Sequence, residues 1–359
     1  MKALFFCYSH QKDYFLTSHA ECIKNRGGEA NFLILDEGEE GSSRSRQSLI
    51  TIPSDLMKLR GAVKSLAPDM VISITSKAGL IVAIYSVLFV STPAHIHWFT
   101  GQVWCNFVGL RHWVYRSIDA FTCSRSSLTF VDGFGQRDFL LNNGFKDKKL
   151  IVNGEGSIGG VEDSFFSTFG ERKKNVQNSK LRIGVVGRIC PDKGIGFILD
   201  NLSTSILDEK NVVLHFFGEF DNCPADIICK FNQRVISGDF IFHGSVHEPD
   251  IYSNIDVLLL ASYREGFSNV ILEAQAFGVP VLARNIYAVT TSLVNTKSGF
   301  LFSDIKELIF YIEKLSNDSV RDEMGAYGKQ FAEKNFKRSH VVSLICDAYE
   351  DALGNGKNI

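Results

Sequence analysis

The sequence predicts an α/β protein made of doubly wound units, parallel sheets with helices on both faces. Three observations predict it. Short continuous runs of Val, Ile, Leu and Phe recur along the chain, the pattern of parallel strands covered on both sides. Longer helix-period segments alternate with these runs in both halves. At about 100–200 residues per domain, 359 residues make two domains or one large one.

In the first half, strands are expected at Lys2–Tyr8, Glu29–Leu35, Met70–Ile74, Ala94–Trp98, Ala120–Cys123 and Lys149–Val152. In the second half they are expected at Leu181–Val186, Val212–Phe217, Phe240–His243, Val257–Leu260 and Pro280–Ala283. Between the halves, Phe165 to Lys180 is polar and rich in Ser, Asn, Lys and Arg. This places a first domain at 1–165, a linker at 166–180 and a second domain at 181–337. The final segment, 338–359, reads as an amphipathic helix with Val341, Val342, Ile345 and Tyr349 on one side. A second polar stretch, Asp36 to Ser48, reads as a mobile loop.

Composition excludes several classes. Hydrophobic residues are 45% and charged residues 22%, which is neither disordered nor collagen-like. Lys+Arg number 38 against Asp+Glu 40, so no global field attracts nucleic acid or anionic lipid. Any such binding must be a local patch. Eight cysteines are scattered without a Cys-x-x-Cys pair, as expected for small buried residues in a reducing, cytoplasmic compartment. The apolar run Met1–Cys7 is too short for a signal peptide and reads as a buried strand. Ala78 to Val90 is apolar for about 13 residues where a membrane span needs roughly 20, so it reads as a buried helix.

In open parallel sheets, ligands sit beyond the carboxyl ends of the strands, where helix N-termini offer unpaired N–H groups. Two such places carry charge. In Val186-Gly187-Arg188-Ile189-Cys190-Pro191-Asp192-Lys193-Gly194, a strand runs into glycine, then arginine, then lysine. Gly187 permits close backbone approach, and Arg188 and Lys193 can converge on a diphosphate. The spacing is not the dinucleotide Gly-x-Gly-x-x-Gly pattern. In Ala261-Ser262-Tyr263-Arg264-Glu265-Gly266-Phe267-Ser268-Asn269-Val270-Ile271-Leu272-Glu273, a buried strand ends in a loop with Glu265. Ser268 is a suitable N-cap for a helix bearing Glu273. The N–H groups of Ser268, Asn269 and Val270 form an anion or hydroxyl site, and a carboxylate accepts bonds from sugar hydroxyls.

The pair Glu265…Glu273 together with Gly187-Arg188…Lys193-Gly194 resembles the retaining GT-B glycosyltransferases of the group often called family 4. Phe217-Gly218, His243-Gly244-Ser245-Val246, Tyr252…Asp256-Val257 and Phe277-Gly278-Val279-Pro280-Val281 match in the same order. Ser76-Lys77-Ala78-Gly79-Leu80, Pro93…His97-Trp98-Phe99-Thr100-Gly101-Gln102-Val103-Trp104 and Asn153-Gly154…Ser157-Ile158-Gly159-Gly160-Val161 are similar to bacterial enzymes that extend lipid-linked oligosaccharides for O-antigen, capsule or glycoprotein.

The resemblance implies a GT-B fold, two Rossmann-like domains facing across a cleft, with the last helix crossing back to the first domain. It implies a nucleotide-sugar donor, UDP-linked in the commoner case and GDP-linked in the other, and a lipid-linked glycan acceptor. Glu265 would contact the donor sugar and Glu273 the ribose. Arg188 and Lys193 would hold the diphosphate, assisted by the amides of Ser268, Asn269 and Val270. Gly187, Gly218 and Ser245 would lie along the nucleotide. No Asp-x-Asp triplet occurs, so metal-independent transfer without a cofactor is expected, by front-face attack.

Two features depart from the family's pattern. The chain has Tyr8-Ser9-His10-Gln11 where many relatives carry a Gly-rich loop. It has Thr100 before Gly101 where many carry a histidine, which leaves His97 as the nearest candidate for a catalytic role.

All three tryptophans, Trp98, Trp104 and Trp113, fall in one stretch with Arg111, Tyr115 and Arg116. Trp98, Thr100, Gly101 and Trp104 are therefore candidates for the acceptor or membrane side, in peripheral contact with the cytoplasmic membrane. A large aromatic core accounts for the same composition. Other readings of the chain are a nucleotide-sugar epimerase, for which His10, His215 and His243 are the candidate acid/base groups, a phosphorylase, and a non-catalytic nucleotide-sugar binding subunit.

Overall fold

The computed structural model describes residues 1–35, 50–90, 92–167, 180–246 and 248–355. Asp36 to Ser48 and most of the linker, 168–179, lie outside the described residues. The chain divides into two units, Met1–Gly159 with Ser339–Ile359, and Gly160–Arg338. Both contain a six-stranded parallel sheet.

In the first unit, β1 (Lys2–Cys7) is followed by the short α1 (Ser9–Gln11) and by α2 (Thr17–Asn25). Then come β2 (Glu29–Ile34), α3 (Ile52–Leu66), β3 (Met70–Ile74), α4 (Ser76–Leu88) and β4 (Ala94–Phe99). The unit continues with α5 (Gly109–Arg125), β5 (Leu128–Val131), α6 (Phe134–Asn142) and β6 (Leu150–Val152). The sheet order is β2-β1-β3-β4-β5-β6, so the winding reverses between β1 and β3. β1 and β3 are buried almost throughout because both faces are covered.

The second unit begins with α7 (Ser164–Ser167) and β7 (Leu181–Val186), then α8 (Ile195–Asn201), α9 (Thr204–Glu209) and β8 (Val212–Phe217). α10 (Ala225–Ile236), β9 (Phe240–Gly244), α11 (Glu248–Ser253), β10 (Val257–Leu260), α12 (Asn269–Ala276) and β11 (Val281–Arg284) follow. β12 (Gly299–Phe302), α13 (Ile305–Leu315) and α14 (Asp318–Phe336) complete it. The order β12-β11-β10-β7-β8-β9 places the reversal between β7 and β10. One face of this sheet packs Ile183, Leu214, Phe216 and Leu259 under α8, α10 and α13. The other packs Phe217, Leu258, Leu260 and Val281 under α12 and α14.

The final helix, α15 (Arg338–Asn355), belongs to the first unit. Val341, Val342, Ile345 and Tyr349 join Phe5, Ile72, Ile96, Trp98 and Phe130 in one core. A buried tyrosine hydroxyl needs partners. The Tyr349 hydroxyl accepts from Trp98 Nε1 at 3.0 Å and lies 3.2 Å from His19 Nδ1, while His19 Nε2 meets the Ile158 carbonyl at 2.7 Å. Burial pushes the Tyr349 hydroxyl above its ordinary pKa.

Three sequence expectations are corrected. Ala120–Cys123 is the last part of α5, and the strand is Leu128–Val131. β12, Gly299–Phe302, is a strand beyond those expected. The first unit ends at Gly159 rather than 165: Val161 and Phe165 pack into the second unit, and Val161 N donates to the Phe336 carbonyl at 2.7 Å.

Candidate functional site

The reversal between β7 and β10 places the loops after these two strands side by side, where doubly wound sheets bind ligands. The loop after β7 opens with Gly187 at φ +119° and the loop after β8 with Gly218 at φ +138°, both in glycine territory. A Cβ on Gly218 would stand 2.1 Å from the Gly187 carbonyl oxygen, so the two backbones pass closer than any side chain permits. Gly187 N donates to the Phe217 carbonyl at 2.9 Å, and Gly218 N to the Gly244 carbonyl at 2.8 Å. Ser245 N donates to Glu219 Oε1 at 3.1 Å. These bonds tie the ends of β7, β8 and β9 into one ledge that carries Gly187, Gly218 and Ser245.

Lys193 and Glu265 are 72 residues apart in sequence and meet as an ion pair. Lys193 Nζ lies 2.7 and 2.9 Å from the two Glu265 carboxylate oxygens. Glu265 is nearly buried and Lys193 a quarter exposed. The loops are clamped by further contacts. Tyr263 N donates to the Asp192 carbonyl at 2.9 Å, and Arg264 reaches the Asp192 carboxylate at 3.0 Å. Arg188 is largely exposed and paired with Asp221. Three cations (Arg188, Lys193 and Arg264) and two carboxylates (Asp192 and Glu265) therefore stand in the loops at the carboxyl ends of β7 and β10.

Ser268 precedes α12 in extended conformation and makes no side-chain cap; in the first turn Ile271 N donates to the Ser268 carbonyl at 3.1 Å, which leaves the amides of Asn269 and Val270 without a partner inside the helix. Asn269 and Val270 open that turn. Glu273, a turn further along, is almost buried, and its Oε2 accepts from the Tyr252 hydroxyl at 2.6 Å. Tyr252 stacks on Phe277 with ring centres 5.3 Å apart. The sequence singled out Glu273 but not the residue that orients it. Its signal was the Tyr252…Asp256 match, whose physical role only the fold reveals.

His215 and His243 stand on the neighbouring strands β8 and β9. His215 Nδ1 lies 3.1 Å from His243 Nε2, and His243 stacks on Phe217 at 4.4 Å. Burial lowers the pKa of both, that of His215 to about 4, so both rings are neutral at pH 7. His247 lies outside the described residues.

In the first unit the reversal between β1 and β3 holds a cavity of about 190 Å³, lined chiefly by apolar surface. Tyr8 and Gln11 border it from the end of β1, Thr75 and Lys77 from the end of β3, and Leu80 and Tyr115 from α4 and α5. Thr75 sits at φ +79°, a strained position for a β-branched residue, and its Oγ1 is buried without a partner. Lys77 is held by Asp55 at 3.1 Å and by Thr51 Oγ1 at 2.7 Å. Sequence reasoning did not name this cavity; its signal was the Ser76-Lys77-Ala78-Gly79 match.

His97 and the two tryptophans are corrected here. His97 is fully buried in β4, its Nδ1 2.8 Å from Ser73 Oγ, with Gly79 of α4 packed against its ring. Burial lowers its pKa to about 3. A ring enclosed in this way reaches no acceptor. Trp98 is fully buried and stacked on Phe130 at 4.3 Å. Trp104 is also buried, donating from Nε1 to Asp119 Oδ2 at 2.9 Å. Neither tryptophan is exposed to solvent, and each buried N–H has a partner inside the core. Thr100 and Gly101 lie half-buried at the end of β4. Among the described residues, no helix is long and apolar enough to cross a membrane, and no three His, Cys, Asp or Glu residues group as a metal site.

Residues 180–318 match the family described as Glycosyl transferases group 1. The capsular polysaccharide biosynthesis glycosyltransferase CapM of Staphylococcus aureus is 28% identical over 296 residues, 80% of this chain and 77% of CapM. Sucrose-phosphate synthase from Thermosynechococcus elongatus has the same fold, with a TM-score of 0.82 at 14% identity over 99% of this chain and 100% of its own. So does Anabaena HepE, solved in complex with UDP, with a TM-score of 0.77 at 16% identity over 98% of this chain and 100% of HepE. With two doubly wound units in the GT-B arrangement of elements, this chain carries a glycosyl transferases group 1 domain over residues 180–318 and is a glycosyltransferase.

Proposed function

We propose that the protein is a retaining, metal-independent transferase of the family 4 type. It moves a hexose or N-acetylhexosamine from a UDP-sugar to a lipid-linked glycan, in capsule or related surface polysaccharide synthesis at the inner face of the cytoplasmic membrane. The observation that carries this reading is the Lys193–Glu265 pair at the β7/β10 reversal, flanked by Arg188 and the N-terminus of α12. The names of CapM and of the HepE–UDP complex support the pathway and the base.

The chemistry follows from charge. The bond to the sugar breaks as negative charge builds on the departing diphosphate. Arg188 and Lys193 supply opposite charge where that develops, and first-turn amides of α12 add fixed dipoles. Glu265 turns from Lys193 to the sugar hydroxyls as the donor diphosphate takes the lysine. Glu273, held by Tyr252, accepts from the ribose hydroxyls. The acceptor hydroxyl gives its proton to the leaving phosphate and attacks from the same face. The first unit's cavity takes part of the acceptor.

A thermal-shift panel tests the donor: UDP, GDP, ADP and the UDP-sugars, in EDTA. A ligand at about 100 times its Kd adds roughly 2.7 kcal/mol. UDP is expected to raise the melting temperature and GDP to leave it unmoved. A shift with GDP alone, or one abolished by EDTA, overturns the donor or the metal-free mechanism. NMR of the product's anomeric proton then decides retention.

A further inference from the structure

Trp113 is the one tryptophan at the surface, and it stands on a helix with two apolar sides. The inner side of α5 buries Thr122 and Cys123 and turns Ile118 to the first unit's cavity. The outer side, at spacings of three, four and seven, carries Leu110, Trp113, Val114 and Phe121, with Val108 just before the helix. Val108 is 89% exposed, Leu110 81% and Trp113 60%. Exposed apolar residues scattered singly need no explanation, but a stripe along one helix does.

The stripe is edged by cations. Arg111 lies over the Phe107 ring at 4.1 Å, and Arg116 over the Trp113 ring at 5.4 Å. Arg125 closes the far end, its Nε 3.4 Å from Ser86 Oγ on α4, beside the exposed Val87 and Leu88. The one acid in Gly109–Arg125 is Asp119, which is fully buried. An apolar strip with a tryptophan, bordered by arginines and free of exposed carboxylates, complements an anionic lipid surface. It does not complement itself. A second copy laid face to face would bring arginines against arginines.

We propose that the outer face of α5 is a docking surface for an anionic bilayer, with Leu110, Trp113 and Val114 entering the headgroup layer and Arg111 and Arg125 meeting lipid phosphates. This deepens, and rests on, the lipid-linked acceptor reading, because Tyr115 and Ile118 on the other side of α5 line the first unit's cavity.

The test is co-sedimentation of the full chain with vesicles of phosphatidylcholine alone and with about 30% phosphatidylglycerol (roughly the charge of an anionic leaflet). Trp98 and Trp104 are buried, so quenching of tryptophan fluorescence by brominated acyl chains reports Trp113. Binding is expected to anionic vesicles, with quenching. Arg111→Gln and Arg125→Gln together are expected to weaken it about 25-fold, near fivefold per arginine. Leu110→Ser with Trp113→Ser should weaken it at least tenfold at an unchanged melting temperature. Wild-type protein that binds UDP yet ignores anionic vesicles overturns the surface and leaves the transferase reading standing. Binding that survives both double variants overturns it as well. So does a dimer in sedimentation equilibrium that Leu110→Ser with Trp113→Ser dissolves. Failure to bind any nucleotide sugar, with vesicle binding intact, would count against the transferase reading alone.

Discussion

Gly194→Ala separates geometry from chemistry at the donor site. Gly194 sits at φ +79°, and a Cβ there would lie 2.2 Å from the Ala261 carbonyl oxygen, on the loop that leads to Glu265. Left-handed backbone costs an alanine about 1–2 kcal/mol. Forcing the two loops apart to accommodate a methyl adds about 1–3 kcal/mol. A central value of about 3 kcal/mol lowers the melting temperature by roughly 6–12 °C for a unit of this size. The displacement falls on the loops bearing Lys193 and Glu265, where a shift of about 1 Å costs about 100-fold in rate. The matched control is Gly196→Ala, two residues on, inside α8, where a Cβ meets nothing within 4 Å. That change should be neutral or stabilising by up to about 1 kcal/mol. Thermal melts and transfer rates are measured on both. If Gly194→Ala melts within a degree of wild type, or if Gly196→Ala is equally harmful, the close contact between the loops is not what holds the site together.

Glu265→Ala is expected to abolish transfer with little loss of stability, since its partner Lys193 is partly exposed and can turn to water; a variant with half its activity would refute the sugar contact. Lys193→Ala and Arg188→Ala should each lower the rate roughly 10²–10³-fold, read by single-turnover transfer. Tyr252→Phe removes a bond to a carboxylate and should cost about 1.5–3 kcal/mol and weaken UDP binding, while uridine-free diphosphate binding stays unchanged by calorimetry. Asp132→Asn concerns pH. Burial pushes the Asp132 carboxyl up to about 8, so the folded state holds a proton that the unfolded chain releases near pH 4. Stability therefore falls as pH rises from about 4 to 8, and the loss is complete above 8. The Asp132→Asn substitution should remove that slope, raising the melting temperature at pH 8 while leaving it unmoved at pH 4; equal shifts at both would refute it.

Much of the architecture was legible because strands buried on both faces must be continuously apolar. β3 reads Met-Val-Ile-Ser-Ile and β10 Val-Leu-Leu-Leu. Where a strand departs from that composition, the reading failed. β5 carries Thr129, satisfied by Ser126 Oγ at 2.6 Å, and a nearby apolar helix face, Ala120–Cys123, took its place. β12 is four residues opening on glycine, and Gly299 packs against the Val281 carbonyl. Among the site residues, sequence pattern pointed to Lys193 and Glu265, but that they bond to each other is a property of strand order. Tryptophan composition could not tell Trp98 and Trp104 from Trp113, because the difference lies in whether an N–H finds Tyr349 or Asp119 inside, or water outside.

The return of α15 to the first unit also orders events at the ribosome. Phe5, Ile96 and Trp98 lie in the same core as Val341, Ile345 and Tyr349. When Gly159 leaves the exit tunnel, that side of the sheet still lacks its cover, and the missing helix emerges about 190 residues later, roughly 10–40 s at ordinary elongation rates. The second unit, contiguous from Gly160 to Arg338, can close while the nascent first unit waits. An unfinished apolar face held open for that interval is exposed to aggregation, and synonymous changes that slow translation of 160–338 should lower the soluble yield without altering a single residue.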